Sequence, residues 1–149
     1  MPLFGGGREH AGISLVITGT ASEEADAKAI RDRVGSPRCV SFAGRTTFPD
    51  LLALYSQAHA MVANDSGPPH FAALLRLPTV VLFGPETPAL YSPLNPNARC
   101  LYSHFACSPR VLVYNAKKSP CVRSPCLEAI TVEEVRGNVR EILALPAPG

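Results

Sequence analysis

The 149-residue sequence is poor in charged residues and has no long apolar run. Asp, Glu, Lys and Arg make up 17% of it, against roughly 25% in typical soluble domains. The net charge of +2 is too small to indicate a nucleic-acid partner, and none is expected. Because no stretch of about 18 apolar residues occurs, no transmembrane helix is predicted. The low charge indicates a surface that is partly covered, by a missing domain or by self-association.

Several familiar motifs are also absent. Neither GxGxxG nor GxxxxGK[ST] occurs, so the sequence lacks both common phosphate-binding fingerprints. The five cysteines are an odd number and include no CxxC pair, which disfavours a secreted disulfide scaffold and favours a reducing cytoplasm. Cys107, Cys121 and Cys126, with His104 nearby, support only a weak zinc-site hypothesis, and unpaired thiols are the favoured interpretation.

Apolar, β-branched runs alternate with amphipathic stretches along the chain. Strands are predicted at 13–18, 39–42, 59–63, 79–83 and 99–102. Helices are predicted after an N-cap at Ser22, after a Thr47–Asp50 capping box, over 71–77, and after a Thr131–Glu134 capping box. This alternation predicts an α/β fold with a doubly wound parallel sheet and helices on both faces.

Four loops, 19–20, 44–46, 65–67 and 84–86, each follow a predicted strand directly. Ligands of open α/β sheets bind at the carboxyl ends of the strands, so we expect these loops to line one crevice.

The loop within segment 63–73, ANDSGPPHFAA, carries the clearest indication of function. A strand-to-helix turn of this kind presents backbone N–H groups where an anion can bind. Since proline has no N–H, the expected donors are Ser66, Gly67 and His70, and Gly67 allows a ligand to approach the backbone closely. A plain N-cap without a ligand explains the local chemistry about equally well.

Each of the other candidate residues has two interpretations. Asp65 would repel a phosphate, so it either holds the loop or contacts sugar hydroxyls. His70 is more often a packed or capping residue, but beside an anion site it could steady a leaving diphosphate. Glu23 and Glu24 suit a helix dipole, and one of them could accept hydrogen bonds from ribose. Arg45 is either a solvated loop residue or a phosphate partner.

Two segments together resemble the donor-domain signature of glycosyltransferase family 9, the bacterial lipopolysaccharide heptosyltransferases. Segments 64–74, NDSGPPHFAAL, and 77–85, LPTVVLFGP, follow a pattern of D-[TS]-G-x-x-H-x-A-A, a proline, a strand and F-G-P. The resemblance extends to 44–47, to the cysteine-bearing loop and to 130–135, and so covers about 13–143. It departs at Pro69, and at 86–88, where Glu-Thr-Pro replaces the usual Thr-Asp-Pro.

The resemblance implies a Rossmann-like, nucleotide-sugar-binding domain over 13–145, with a loose segment at 1–12 and a tail at 146–149. This domain would be one half of a GT-B enzyme, and its donor would be an ADP-sugar, typically ADP-heptose. No metal or other cofactor is expected. By position in the motif, the donor-binding residues are Asp65 at the sugar–phosphate end, Ser66, Gly67 and His70 at the diphosphate, Glu23 near the ribose and Thr46 near the adenine.

The resemblance further implies an inverting transferase of lipopolysaccharide core synthesis, with a lipid-linked saccharide as acceptor. Such an enzyme would work in the cytoplasm, peripheral to the inner membrane. The acceptor domain, which supplies the catalytic base in this family, is expected to be missing from this chain. No catalytic residue is therefore expected here beyond His70 for leaving-group stabilisation, and the isolated chain should be inactive. The alternatives are a non-catalytic nucleotide- or partner-binding module of the same fold, and a zinc-stapled interaction domain.

Overall fold

The computed structural model describes residues 12–105 and 124–144. Its strands are β1 (Leu15–Ile17), β2 (Cys39–Ser41), β3 (Met61–Asn64), β4 (Thr79–Phe83) and β5 (Ala98–Tyr102). Its helices are α1 (Glu24–Val34), α2 (Phe48–Gln57), α3 (Gly67–Leu74), α4 (Pro88–Tyr91), α5 (Pro125–Glu128) and α6 (Val132–Ile142). A single 3₁₀ turn, Ala21–Glu23, precedes α1 in this part of the chain. The strands pair in parallel and alternate with helices, which confirms the α/β class.

Two compact units share the described residues, the first ending at Leu54 and the second beginning at Tyr55. In the first unit β1 pairs with β2, with Leu15 opposite Cys39, and α1 packs against β2. Small side chains such as Ala27, Cys39 and Ala43 form its buried core. A core of this size buries little apolar surface, so close backbone packing matters more here than large side chains. The assignment of 13–145 to one domain stays a prediction.

The second unit is built around β4, which lies between β3 and β5 in a three-stranded sheet. Val80 pairs with Val62 of β3 on one side and with Arg99 of β5 on the other. Four of the five residues of β4 are fully buried, with 0% exposure for Thr79, Val80, Val81 and Phe83. Because α3, α5 and α6 all pack against β4, this strand fixes the loops at its own carboxyl end.

Side chains tie together the loops at the amino end of this sheet. The Asn95 amide and the Thr79 hydroxyl both donate to the Leu77 carbonyl, each at 2.8 Å. The Asn97 amide donates to the carbonyl of Arg76 at 3.2 Å. Arg76 itself has a φ of 53°, the left-handed conformation that often ends a helix. These bonds satisfy carbonyls in the loop that follows α3.

The strand predictions match the structure to within a few residues, and β4 matches its predicted bounds of 79–83. The predicted N-cap at Ser22 is wrong, because Thr20 caps the 3₁₀ turn that leads into α1. Helix α3 begins at Gly67 rather than near Phe71. Its second and third positions are prolines, which a first helical turn accepts because the N–H groups there have no intrahelical partner. The short helices α4 and α5 were not predicted.

Candidate functional site

The turn between β3 and α3 is fixed by a backbone hydrogen bond and leaves the N-terminus of α3 open. Asp65 donates its N–H to the Leu82 carbonyl at 3.0 Å, which fixes the turn to the end of β4. Ser66 is extended, with φ −161° and ψ −167°, and its hydroxyl donates to the Asn64 carbonyl at 3.2 Å rather than capping α3. Within 12–105 and 124–144, the backbone N–H groups of Ser66 and Gly67 have no hydrogen-bond partner. This turn therefore offers two donors to an external acceptor.

Gly67 is not required by the packing of the turn itself. A Cβ built at this position would lie 3.4 Å from the nearest ring atom of Phe71, an ordinary van der Waals contact. Its absence matters only to a molecule that approaches the backbone from outside. Pro69, by contrast, is among the fully buried side chains. Packing thus accommodates the proline at this position.

Asp65 and His70 flank this open turn on either side. His70 is the fourth residue of α3 and is exposed, so its imidazole belongs to the same helix end as Ser66 and Gly67. Asp65 is half-buried, and its charge reaches Cys100 on β5. Burial, and to a smaller extent the Asp65 carboxylate, raises the pKa of the Cys100 thiol. The second unit therefore brings together four of the predicted site residues, namely Asp65, Ser66, Gly67 and His70.

In the turn after β1, in the first unit, a carboxylate accepts hydrogen bonds from donors of the same turn. The Glu23 Oε2 atom accepts hydrogen bonds from the Thr20 N–H and the Thr20 hydroxyl, both at 2.7 Å. These bonds, the backbone one first, lower the pKa of the Glu23 carboxyl and keep it ionised. The reasoning from sequence missed Thr20, although its T-x-x-E spacing to Glu23 is the pattern of a capping box.

The loop that carries Thr46 lies against this same turn. Gly44 donates its N–H to the Gly19 carbonyl at 2.9 Å. The φ of Gly44 is 68°, and a Cβ there would lie 3.0 Å from the Ala21 Cα. The backbones therefore approach more closely than a side chain would allow. Thr46, two residues further on, is half-buried. The first unit thus groups the strand-end loops of Glu23 and Thr46.

Arg45 lies 4.0 Å from the Glu24 carboxylate, and both side chains are largely exposed. An exposed pair at this distance contributes little to stability. The arrangement of the four strand-end loops around one crevice stays a prediction.

Of the cysteines in the zinc hypothesis, Cys107 and Cys121 lie outside the described residues, and Cys126 is buried in α5. The described part of the chain holds no group of three His, Cys, Asp or Glu side chains suited to a metal ion. Its helices also include none with the length and apolar character needed to span a membrane.

The matching family model and the curated relatives point to the same family. The sequence model of glycosyltransferase family 9 (heptosyltransferase) matches residues 8–119. Lipooligosaccharide heptosyltransferase 2 of Haemophilus influenzae is 32% identical over 90 residues, which cover 58% of this chain and 26% of that protein. Lipopolysaccharide heptosyltransferase 2 of Escherichia coli K12 is 32% identical over 99 residues, covering 66% of this chain and 25% of that protein. The matched region thus spans about a quarter of these curated relatives.

Solved structures show the same similarity. ADP-heptose lps heptosyltransferase II of E. coli superposes with a TM-score of 0.74 and 26% identity, over 90% of this chain and 37% of that chain. A family 9 glycosyl transferase from Veillonella parvula superposes with a TM-score of 0.75 and 20% identity, over 91% of this chain and 38% of that one. The second similarity is one of fold, and these neighbours are glycosyltransferases with a GT-B fold.

Proposed function

This chain belongs to glycosyltransferase family 9, and we propose that it is the donor-binding part of an inverting glycosyltransferase of lipopolysaccharide core synthesis. One observation carries the proposal. The eight-residue helix α3 begins with two backbone N–H groups, those of Ser66 and Gly67, that have no partner among the described residues. Donors at a helix N-terminus, in the field of the helix dipole, are suited to a phosphate group.

In this proposal the open turn binds the diphosphate of a nucleotide sugar. The Ser66 and Gly67 N–H groups donate to phosphate oxygens, and the missing side chain of Gly67 allows these oxygens to approach. The exposed imidazole of His70 adds a further donor to the leaving group, and Asp65 contacts the sugar at its phosphate end. Hydrogen bonds to charged groups contribute about 1.5–3 kcal/mol each, so the loss of any one of these donors should weaken binding measurably.

The nucleoside contacts are proposed for the first unit. The Glu23 carboxylate accepts hydrogen bonds from ribose hydroxyls, and Thr46 lies near the adenine. The E. coli relative is named an ADP-heptose heptosyltransferase, and an ADP-sugar is the donor that we propose here.

The reaction that we propose for the whole enzyme is a direct displacement. A hydroxyl of a lipid-linked saccharide attacks the anomeric carbon of the donor, and the bond from that carbon to the diphosphate oxygen breaks. The nucleoside diphosphate leaves, and the anomeric configuration inverts. Backbone N–H groups and His70 stabilise the charge that develops on the leaving oxygen.

We propose that the catalytic base lies on an acceptor domain outside these residues, and that the chain alone transfers no sugar. A lipid-linked acceptor places the enzyme at the cytoplasmic surface of the inner membrane.

Calorimetric titration with ADP tests the donor site. Wild type should bind ADP, and Gly67→Val should weaken the affinity by about 30-fold because the branched side chain obstructs the phosphate. Gly137→Val is the matched control, since a Cβ at this α6 position meets no atom within 4 Å. The proposal is wrong if ADP fails to bind at millimolar concentration, or if Gly67→Val binds ADP as tightly as the control does.

A partner-binding module is the second candidate, and exposed apolar side chains favour it. Leu74, Leu90 and Leu94 are 71%, 68% and 97% exposed, and such side chains can mark an interaction surface. Sedimentation analysis without ligand separates the candidates. Self-association together with no ADP binding supports the module, whereas a monomer that binds ADP supports the donor site.

A further inference from the structure

Strand β1 has one hydrogen-bonded neighbour, β2, and its other edge is unpaired in the described part of the chain. The Leu15 N–H donates to the Arg38 carbonyl at 2.9 Å. The Ile17 carbonyl accepts the Phe42 N–H at 2.8 Å. Leu15 and Ile17 therefore direct their backbone groups towards β2. Because the backbone groups of a parallel strand alternate in direction, the N–H and C=O of Val16 are directed towards the unpaired edge.

The other strand edges of the same kind are less available for pairing. On the far side of β2, Cys39 is buried and donates its N–H to the Ser36 carbonyl at 3.0 Å. At the unpaired edge of β3, the Asn64 carbonyl already accepts the Ser66 hydroxyl. The edge at Val16 has neither obstacle, since Val16 is an exposed residue.

The sequence around β1 lacks the features that usually keep an edge strand from pairing. Residues 12–22, GISLVITGTAS, contain no charged side chain and no proline, whereas unpaired edge strands commonly carry lysine, proline or a bulge. Val16 and Val40 lie opposite each other in β1 and β2, and they are 43% and 42% exposed. An uncharged edge beside exposed apolar side chains is suited to a further β-strand.

We propose that this edge pairs with the same edge of a second copy of the chain, in an antiparallel, two-fold symmetric contact centred on Val16. The inference goes beyond the donor site and does not depend on nucleotide binding. In an antiparallel pair, two opposite residues exchange both of their N–H···O=C bonds when both groups of each residue face the partner strand. The backbone of Val16 meets this condition, so two copies of it place each donor opposite an acceptor.

The register of this contact makes the rest of the edge self-complementary as well, as a two-fold interface requires. It places Ser14 of each copy opposite Thr18 of the other, at the next position where both backbone groups face the partner. It also brings the two Val16 side chains together on one face of the sheet. With Val40 of each copy, they form a continuous apolar strip across the two-fold axis.

Charges at the two ends of β1 favour the antiparallel direction. Arg38 is exposed at the amino end, beside Leu15, and has no ion pair among the residues that the structure describes. The Glu23 carboxylate lies at the carboxyl end, since a Cβ on Gly19 would lie 3.1 Å from Glu23 Oε2. An antiparallel contact brings the positive end of each copy towards the negative end of the other, whereas a parallel contact brings like charges together.

Sedimentation velocity of the 149-residue chain over a range of concentrations tests the contact. Wild type should show a monomer–dimer equilibrium with a Kd on the order of 100 μM, because a short strand pair is a small interface. Val16→Pro removes the central N–H donor of the contact. Since this N–H faces away from β2, the substitution breaks no bond within the sheet. It should weaken the dimer at least about tenfold.

Val62→Pro is the matched control at the unpaired edge of β3. The Met61 N–H donates to the Pro78 carbonyl on the β4 side, so the Val62 N–H faces away from β4 as the Val16 N–H faces away from β2. This variant should dimerise like wild type. A dimer that survives Val16→Pro but is lost in Val62→Pro would place the contact on β3 and overturn the inference.

Val16→Lys and Val16→Glu provide a second measurement that keeps every backbone N–H group. Each variant alone places two like charges opposite each other across the axis, and it should dimerise about tenfold more weakly than wild type. An equimolar mixture of the two should recover the association, because each lysine then meets a glutamate. Thermal unfolding verifies that both variants are folded. The inference is wrong if the mixture associates no better than the separate variants, or if wild type is monomeric at about 1 mM.

Discussion

The turns after β1 and β3 both connect a strand to a helix, yet they differ in whether their backbone N–H groups have hydrogen-bond partners. After β1, the Glu23 carboxylate accepts the Thr20 N–H at 2.7 Å. After β3, the Ser66 and Gly67 N–H groups have no partner in the described residues. A turn that supplies its own anion presents an acceptor, whereas a turn with unused N–H groups attracts an anion. A nucleoside diphosphate has hydroxyl donors at one end and phosphate acceptors at the other.

The glycines of the two turns also differ in whether the fold requires them. Gly44, which packs against the first turn, has a positive φ, and a Cβ on it would lie 3.0 Å from the Ala21 Cα. Gly67 in the second turn has neither constraint. The fold requires the first glycine, whereas the packing of the turn does not require the second.

The largest expected effect comes from introducing an acidic side chain into the turn after β3. Gly67→Asp places a carboxylate at the first position of α3, where it should occupy the free donors and repel a diphosphate. We expect a more than 100-fold loss of ADP affinity. The thermal unfolding midpoint should not fall, because a carboxylate at a helix N-terminus is stabilising. Calorimetry and thermal unfolding measure the two quantities.

Gly67→Asn has nearly the same shape without the charge, and it should lose only about tenfold in affinity. Equal losses for Asp and Asn would show that obstruction alone weakens binding. An Asp variant that binds ADP like wild type would remove the basis for treating the two turns as opposites.

Gly44→Ala should have the next largest effect, on stability. The left-handed backbone costs an alanine about 1 kcal/mol, and the contact with Ala21 adds strain, so the free energy of unfolding should fall by about 2 kcal/mol. Urea unfolding measures this loss. Gly35→Ala is the control, because Gly35 also has a positive φ of 60° but its Cβ would lie 3.9 Å from the nearest atom. Similar losses at the two glycines would mean that the close approach at Gly44 is unimportant.

The smallest expected effect is on how the stability of the fold depends on pH. Hydrogen bonds from threonine lower the pKa values of Glu23, Asp50 and Glu134. A carboxyl whose pKa is lower in the folded chain contributes stability above its unfolded pKa of about 4, and this stability is lost as the pH falls through the folded value. Thr131→Val should therefore unfold at a lower temperature than wild type at pH 6, and the difference should shrink towards pH 3. A difference that stays constant with pH would contradict this origin.

Much of the fold was predictable because the relevant signals are local. The buried run 79–83 has the β-branched, apolar character of a central strand and forms β4. The Thr47–Asp50 and Thr131–Glu134 spacings predicted caps that the structure contains. In the same way, Asp-Ser-Gly after a strand marked the Ser66 turn.

The rest depends on contacts that no local pattern reveals. Ser22 and Thr20 are equally good cap residues by type, and only the return of the Glu23 carboxylate shows which one is used. The start of α3 was placed too late because the apolar run begins only at Phe71, whereas the helix already includes both prolines, one of them buried by packing. The Ser66 hydroxyl donates to the Asn64 carbonyl and leaves α3 without a side-chain cap. This choice goes with the extended backbone of Ser66, which the residue type does not reveal.

The two prolines of α3 have a further consequence for how a ligand would bind. Pro68 and Pro69 each fix φ near −65°, and Pro69 is anchored in the core. The start of α3 is therefore conformationally restricted before any ligand arrives, so binding at this turn has little conformational entropy to lose. Association should then resemble the docking of two rigid partners, and its rate should be set by diffusion and charge rather than by a folding step.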